Sequence, residues 1–384
     1  MITRPRAPPG AMQGSRLIRR VVVFNLAVLK FRVSLALQKS RFARSVRRLA
    51  QRGKDYAWAA AKHPDQIPRK LAGKFGHSNR APSPRPVVAR VRVKPRIVAT
   101  RWLPIVFVHQ SNSDYLKYAF AQAHQSNPNS TIYLLGDASN TGYEFVEHHS
   151  MFDYFRRAAE FGKIYRHYST NSFAYELINF QRWFVLREFL LAHNLPRCLY
   201  VDSDTMLYAN VTEDAKKFED FDFTLSQMTS GCTFFLNRVE GLTEFCEFLF
   251  NIYSRKDKYH YDKMAAHYTA RRMNQLPGGV CDMTAFQLYN EDHFGSIGEA
   301  SHIIGGSVYD PAITSPAPGF EMANGIKKIT WRGSFPYGKH VRTAREIKFN
   351  SLQFQGRSKY LMREYWIHNS SGLSLRPVVD KVVS

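Results

Sequence analysis

The stretch Cys198-Leu199-Tyr200-Val201-Asp202-Ser203-Asp204 decides how this chain is read. Its first four residues, bounded by Pro196 on one side and polar residues on the other, predict a buried strand. Two acids follow at the carboxyl end with one residue between them. Alternate residues of an extended segment face the same way, so Asp202 and Asp204 can turn two carboxylates toward one divalent cation while Ser203 turns aside. The same spacing recurs at Asp220 and Asp222. That pair precedes the apolar run Phe223 to Leu225 and therefore lies at the wrong end of a strand, whereas ligands of open α/β sheets collect outside the carboxyl ends.

Outward from this stretch, strand and helix patterns alternate, which predicts an α/β domain with a largely parallel sheet. Ile105 to Val108 reads as a strand, and the helix after it, capped by Asp114, ends before Pro128. Thr131 to Leu135 reads as the next strand. A long helix over Phe173 to Ala192 has residues 173, 177, 180, 184 and 191 as its expected buried face. The four cysteines show no Cys-x-x-Cys spacing and read as buried thiols.

The chain of 384 residues carries a formal charge of +23, yet the charge is confined to one end. Residues 1 to 101 hold 25 basic and 2 acidic residues, while the remaining 283 hold 29 of each. A uniformly basic nucleic-acid-binding body is thereby excluded, and no nucleic acid is expected for the domain over 102–384. Three regions follow: a basic amphipathic helical extension over 1–62, a Pro-rich basic linker over 63–101, and the α/β domain over 102–384. Residues 1–54 contain no acid, and their apolar residues recur at helical spacing between arginines, a pattern suited to an anionic membrane surface. Their longest apolar run, Val21 to Leu29, is too short to span a bilayer. The expected location is cytoplasmic and peripheral to a membrane; an organelle-targeting segment or an RNA-binding arm are the alternatives.

With these residues in view, the chain resembles the GT-A type glycosyltransferases, a Rossmann-like fold, and among them glycosyltransferase family 8, the galactosyltransferase and glycogenin-like set. The likeness covers most of residues 104 to 360. Ile105-Val106-Phe107 with Tyr115 resembles the family's nucleotide-binding start, which implies that Tyr115 stacks on uracil. Arg182, in Asn179-Phe180-Gln181-Arg182, matches an arginine that reaches the donor sugar or diphosphate. Leu199 to Asp204 matches the metal motif, with Asp202 and Asp204 as ligands and Ser203 in the donor site. Thr229-Ser230-Gly231-Cys232 resembles the small-residue strand beside the donor sugar, where Gly231 would let backbone approach the ligand. Asp282 matches the first acid of a later motif that touches the sugar. Gln353, Gly356 and Lys359 reproduce a His-x-x-Gly-x-x-Lys spacing, with Gln353 in place of the third metal ligand. Met283 stands where the family has Gln.

The resemblance implies a metal-dependent hexosyltransferase that uses Mn²⁺ or Mg²⁺ and moves a sugar from a nucleoside diphosphate sugar, UDP-linked, to a glycan, lipid or protein acceptor, with retention of configuration. Charge growing on the departing diphosphate would be met by the metal, Arg182 and Lys359, and Asp282 would orient donor hydroxyls or the acceptor. Two rivals stay open. One is a non-catalytic binding protein with a decayed transferase fold, which Gln353 and Met283 allow. The other is a haloacid dehalogenase-type phosphotransferase with Asp202 as nucleophile, disfavoured because the Thr of that type is Met206 here.

Overall fold

The computed structural model describes residues 101–293 and 295–366. The expectations for residues 1–62, for 63–100 and for the end of the chain past 366 lie outside the described residues. Among the described residues no helix is long and apolar enough to cross a membrane.

The main sheet begins with β1 (Ile105–Val108), helix α1 (Leu116–Ser126), β2 (Ile132–Gly136) and β3 (Glu147–Ser150). Helices α2 (Arg156–Ile164) and α3 (Phe173–Ala192) lead to β4 (Cys198–Val201) and then β5 (Thr205–Leu207). Strands β6 (Phe223–Leu225) and β7 (Thr233–Leu236) follow, then α4 (Val239–Tyr253), α5 (Lys258–Met273), α6 (Asp282–Asp292) and β8 (Ile297–Glu299). The seven strands lie in the order β3-β2-β1-β4-β7-β6-β8. Only β7 runs against its neighbours β4 and β6, and the other pairings are parallel. Purely apolar runs such as Cys198–Val201 form the middle of this sheet because helices cover both faces.

A second sheet is built from the C-terminal part. It contains β9 (Ser307–Tyr309), β12 (Ile329–Arg332), β13 (Phe335–Lys339) and β14 (Glu346–Gln353), and it takes in β5. A short hairpin of β10 (Met322–Ala323) and β11 (Ile326–Lys327) stands apart. The pairing of β14 with β5, Gln353 opposite Thr205, brings the end of β14 beside the turn that leaves β4.

Two local expectations are corrected. Helix α1 has Tyr115 at its N-cap with no side-chain cap, so Asp114 does not close it. On α3, Phe180 and Phe184 are buried as expected, but Phe173 and Leu191 are 52% and 45% exposed. Glu176, Gln181 and Trp183 are buried instead. The reason is that α3 packs between the sheet and other helices, so its buried surface is wider than one stripe and includes polar groups with partners. Ser172 starts this helix by accepting from Tyr175 N, and Asn194 at φ 53° with Pro196 beyond it ends it. All four cysteines are free, with Cys198, Cys232 and Cys246 buried and Cys281 half-buried.

Candidate active site

Three features of the backbone set the site at the carboxyl edge of the main sheet. After β4 the chain turns tightly, with Asp202 N donating to Cys232 O at 3.0 Å and Thr205 N donating to Asp202 O at 2.9 Å. Phe354 N donates to Asp204 O at 2.8 Å, which stitches the end of β14 to the same turn. Asp282 opens α6, where a carboxylate suits the positive end of the helix. A cavity of about 1020 Å³ lies over these groups, and Tyr115, Arg182, Asp202, Asp204, Asp282 and Lys359 all line it.

Arg182 is the centre of the arrangement. Its Nη1 donates to Asp202 Oδ1 at 2.7 Å and its Nη2 to Asp282 Oδ2 at 2.7 Å. Burial works against its charge, but Asp202, Tyr200 and Asp282 outweigh that and raise its pKa. The acids Glu188 and Asp222 are paired elsewhere, Glu188 with Arg187 and Arg156 and Asp222 with Arg238. Asp282 is 4% exposed. Its Oδ2 also accepts from Trp183 Nε1 at 3.0 Å and its Oδ1 from Met283 N at 3.0 Å, so its carboxylate is fixed by three donors.

Asp202 Oδ1 accepts in addition from Tyr200 OH at 2.8 Å, and its Oδ2 lies 3.5 Å from Gln353 Nε2. Gln353 is 3% exposed, and its Oε1 accepts from Gln355 Nε2 at 3.2 Å. Lys359 Nζ lies 3.2 Å from Asp204 Oδ2 and 5.1 Å from the centre of the Tyr115 ring. Burial and then the neighbouring Asp202 charge push Asp204 up to about 6 against the pull of Lys359. For Lys359, burial lowers and Asp204 and Tyr115 raise, with a net rise.

Two carboxylates held together out of water favour a cation. Among the described residues no cluster of three His, Cys, Asp or Glu is placed to hold a metal. The available donors are therefore the oxygens of Asp202 and Asp204, a hard pair that suits Mg²⁺ or Mn²⁺; Gln353 turns its Nε2 toward Asp202 and its Oε1 toward Gln355, so its oxygen would join them only with the amide turned over.

The remaining expected residues fall as follows. Ser203 is buried and bonded through Oγ to His109 Nδ1 at 2.9 Å, and Tyr115 OH is 3.5 Å from the same Oγ. Gly356 lines the cavity and begins the 3₁₀ turn that carries Lys359. A Cβ on Gly231 would lie 2.3 Å from Trp183 Cη2, so the small residue makes room for the ring that holds Asp282.

Sequence reasoning missed His109, Tyr200 and Trp183. His109 follows β1 directly, at the same sheet edge, and that position was the signal that could have found it. Burial first and then Lys359 lower its pKa to about 4, so the ring is neutral at pH 7. Its Nε2 is buried without a hydrogen-bond partner. Tyr200 alternates with Asp202 along the strand and shares its face, a relation also readable from the pattern.

No protein-family profile matches the chain, and no curated protein matches it. Similar solved structures exist at low identity. The glycosyltransferase GlyE of Streptococcus pneumoniae TIGR4 is 11% identical over 52% of this chain and 45% of its own, with a TM-score of 0.30. An active-site mutant of LgtC is 12% identical over 58% of this chain and 80% of its own, at 0.32. The bifunctional WbbM is 11% identical over 57% of this chain and 41% of its own, also at 0.32. This chain thus spans less than half the length of GlyE and of WbbM, and the functional reading rests on the site's geometry.

Proposed function

We propose that this chain is a metal-dependent GT-A type glycosyltransferase that moves a sugar from a nucleoside diphosphate sugar, UDP-linked, to a glycan, lipid or protein acceptor. The observation that carries the reading is the convergence of Asp202 and Asp204 from the turn after β4, Arg182 from α3 and Lys359 from the 3₁₀ turn after β14 at the carboxyl edge of a mostly parallel sheet. Transfer breaks the bond between the sugar C1 and a diphosphate oxygen, while an acceptor hydroxyl oxygen bonds to C1 and its proton passes to the departing diphosphate. The departing diphosphate gathers negative charge, and Arg182 and Lys359 supply fixed positive charge beside it. A Mn²⁺ or Mg²⁺ bound by Asp202, Asp204 and, with its amide turned over, Gln353 would add Lewis-acid stabilisation of the same group.

The ring of Tyr115, with Lys359 above it, offers a flat face for a nucleobase. Asp282, with three donors already on its carboxylate, positions Arg182 and the donor rather than taking a proton. Retention of configuration follows from the family resemblance. The second reading, a nucleotide-sugar binder without turnover, is favoured by one observation: Asp202 Oδ1 already accepts from both Arg182 and Tyr200.

A thermal-shift screen of UDP-, GDP- and CMP-sugars with and without Mn²⁺ tests binding, since a ligand of the native state raises stability. Release of free sugar from the stabilising donor then separates the two readings. Stabilisation by UDP-sugar only with metal, followed by hydrolysis, is the expected result; stabilisation without any turnover leaves the binder. We further propose that residues 1–54 hold the activity at an anionic membrane surface. Vesicle co-sedimentation of the full chain and of a chain lacking residues 1–101, at low and high salt, checks this. Binding to RNA but not to vesicles would overturn it.

A further inference from the structure

Two residues that line the cavity each carry a buried polar atom without a hydrogen-bond partner, one an acceptor and one a donor, and both adjoin the Gly278–Gly279 loop, Arg271 directly and Glu176 through Ser169. Glu176 lines the cavity and is 1% exposed. Its Oε1 accepts from Ser169 Oγ at 2.8 Å and from Asn171 Nδ2 at 2.7 Å, while its Oε2 is buried with no hydrogen-bond partner. Arg271, from α5, lines the same cavity, and its buried Nε likewise has none. A buried polar atom left unpaired costs about 1–3 kcal/mol, so two of them beside one cavity mark a place where a ligand can bring partners.

The wall that carries Glu176 is held firmly. Val280 N donates to Tyr168 O at 2.7 Å, Thr170 N to Gly278 O at 3.1 Å, and Gly278 N to Thr170 Oγ1 at 2.7 Å. A Cβ on Gly279 would lie 2.1 Å from Tyr168 O, so only glycine permits this approach. The segment holding Glu176 is thereby clamped to the loop that leads into Asp282. Along α3, Glu176 precedes Arg182 by six residues, about 9 Å of helix axis, which is enough to seat a sugar ring beyond the donor groups.

We propose that Glu176 and Arg271 form a subsite for a neutral carbohydrate acceptor, whose hydroxyl donates to Glu176 Oε2 and whose oxygen accepts from Arg271 Nε. This deepens the transferase reading and rests on it. The pairing selects the class. An ammonium ligand only donates and would meet the Arg271 charge, whereas a phosphate only accepts and would meet the Glu176 carboxylate; a sugar hydroxyl does both. Asn179 and Gln287 line the cavity with amides, and the Tyr175 ring, also lining it, is exposed and can take the face of a sugar.

Calorimetric titration of the full chain, loaded with UDP and Mn²⁺, with lactose, maltose, cellobiose and spermidine tests the proposal. Glu176→Gln keeps an acceptor for Ser169 and Asn171 while removing the charge, and Glu176→Ala removes both. Losing a hydrogen bond to a charged group is expected to weaken disaccharide binding about tenfold or more in both variants, with UDP affinity held within about twofold. Equal disaccharide affinity in parent and Glu176→Gln, or binding of none of the three to the parent, overturns the subsite. Spermidine as the ligand lost in the variants overturns the carbohydrate class. A parallel loss of UDP affinity in Glu176→Gln would make the residue structural and also overturns the proposal. Absence of UDP binding to the parent is a separate failure and sinks the transferase reading instead.

Discussion

Arg182 and Asp282 meet through a 2.7 Å contact of Nη2 with Oδ2, and the other terminal nitrogen of the same guanidinium meets Asp202 at the same distance. One planar cation thereby ties the start of α6 to the end of β4, and the spacing of its two nitrogens sets the separation of the two carboxylates.

Arg182→Lys is expected to break this tie, because an ammonium is a compact charge that cannot span both partners as a fork does. One carboxylate is then left in a largely buried place without its counter-charge, at about 3 kcal/mol or more of stability. Turnover of the donor should fall on the order of a hundredfold or more, as for loss of a preorganised electrostatic group. Urea unfolding and donor hydrolysis measure the two losses, and a Lys variant that matches the parent in both would remove Arg182 from the centre of the site.

Asp204→Asn should abolish metal-dependent turnover of the nucleotide sugar while the fold persists, since it removes a ligand charge at the open end of a strand. Asp222→Asn is the control. Asp222 pairs with Arg238 away from the cavity, so its loss costs about 1 kcal/mol of stability at most and should leave turnover intact. If Asp222→Asn proved the more damaging to turnover, the metal pair has been placed at the wrong Asp-x-Asp.

Much of this site was legible because the decisive groups sit at ends of regular elements. Asp202 and Asp204 follow an apolar strand, Arg182 lies on a long helix with clear start and stop signals, and both relations are local in sequence. The proximity of Gln353 to Asp202 is of another kind, since it depends on β14 pairing with β5 across almost 150 residues of chain. No periodicity encodes such a pairing, and the motif spacing alone placed Gln353 and Lys359 near the diphosphate. The second sheet went unread for the same reason, since β14 takes its place only through long-range pairings, while β12 and β13 are short and largely exposed. Glu176 was invisible to pattern reasoning, since an acid on a helix reads as a solvated face unless its burial is known.

Gly231→Ala puts a methyl within 2.3 Å of the Trp183 ring, with Phe286 at 3.5 Å behind it. The ring has little room to retreat, since it packs at 5.0 Å from both Tyr200 and Phe286. Overpacking of this kind costs about 1–3 kcal/mol. The displaced indole can no longer donate to Asp282, so turnover should fall as well as stability. Trp183→Phe separates the two effects, because it relieves the ring's bulk while removing the donor: a loss of turnover in Gly231→Ala that Trp183→Phe does not share would mean the bond to Asp282 is not what Gly231 protects.

His109 gives a pH dependence whose sign follows from its environment. Burial, followed by the Lys359 charge, lowers its pKa from 6.5 to about 4 in the folded chain. Between those values the unfolded chain binds the proton and the folded chain does not, so stability is fully present above pH 6.5 and is lost as the pH falls toward 4. At about 1.4 kcal/mol per pKa unit, the loss amounts to at most about 3 kcal/mol. Asp204, raised to about 6, works in the opposite sense over part of the same range, since its folded form holds a proton more readily than its unfolded one. The parent's curve alone therefore mixes the two. His109→Asn keeps an acceptor for Ser203 and removes only the imidazole, so the difference between the two curves isolates it. Urea unfolding in chelator from pH 7.5 to 4.5 should show the parent losing its stability advantage over His109→Asn on acidification. Parallel curves across that window would mean that His109 is accessible to protons in the folded chain and does not stand neutral beside Ser203.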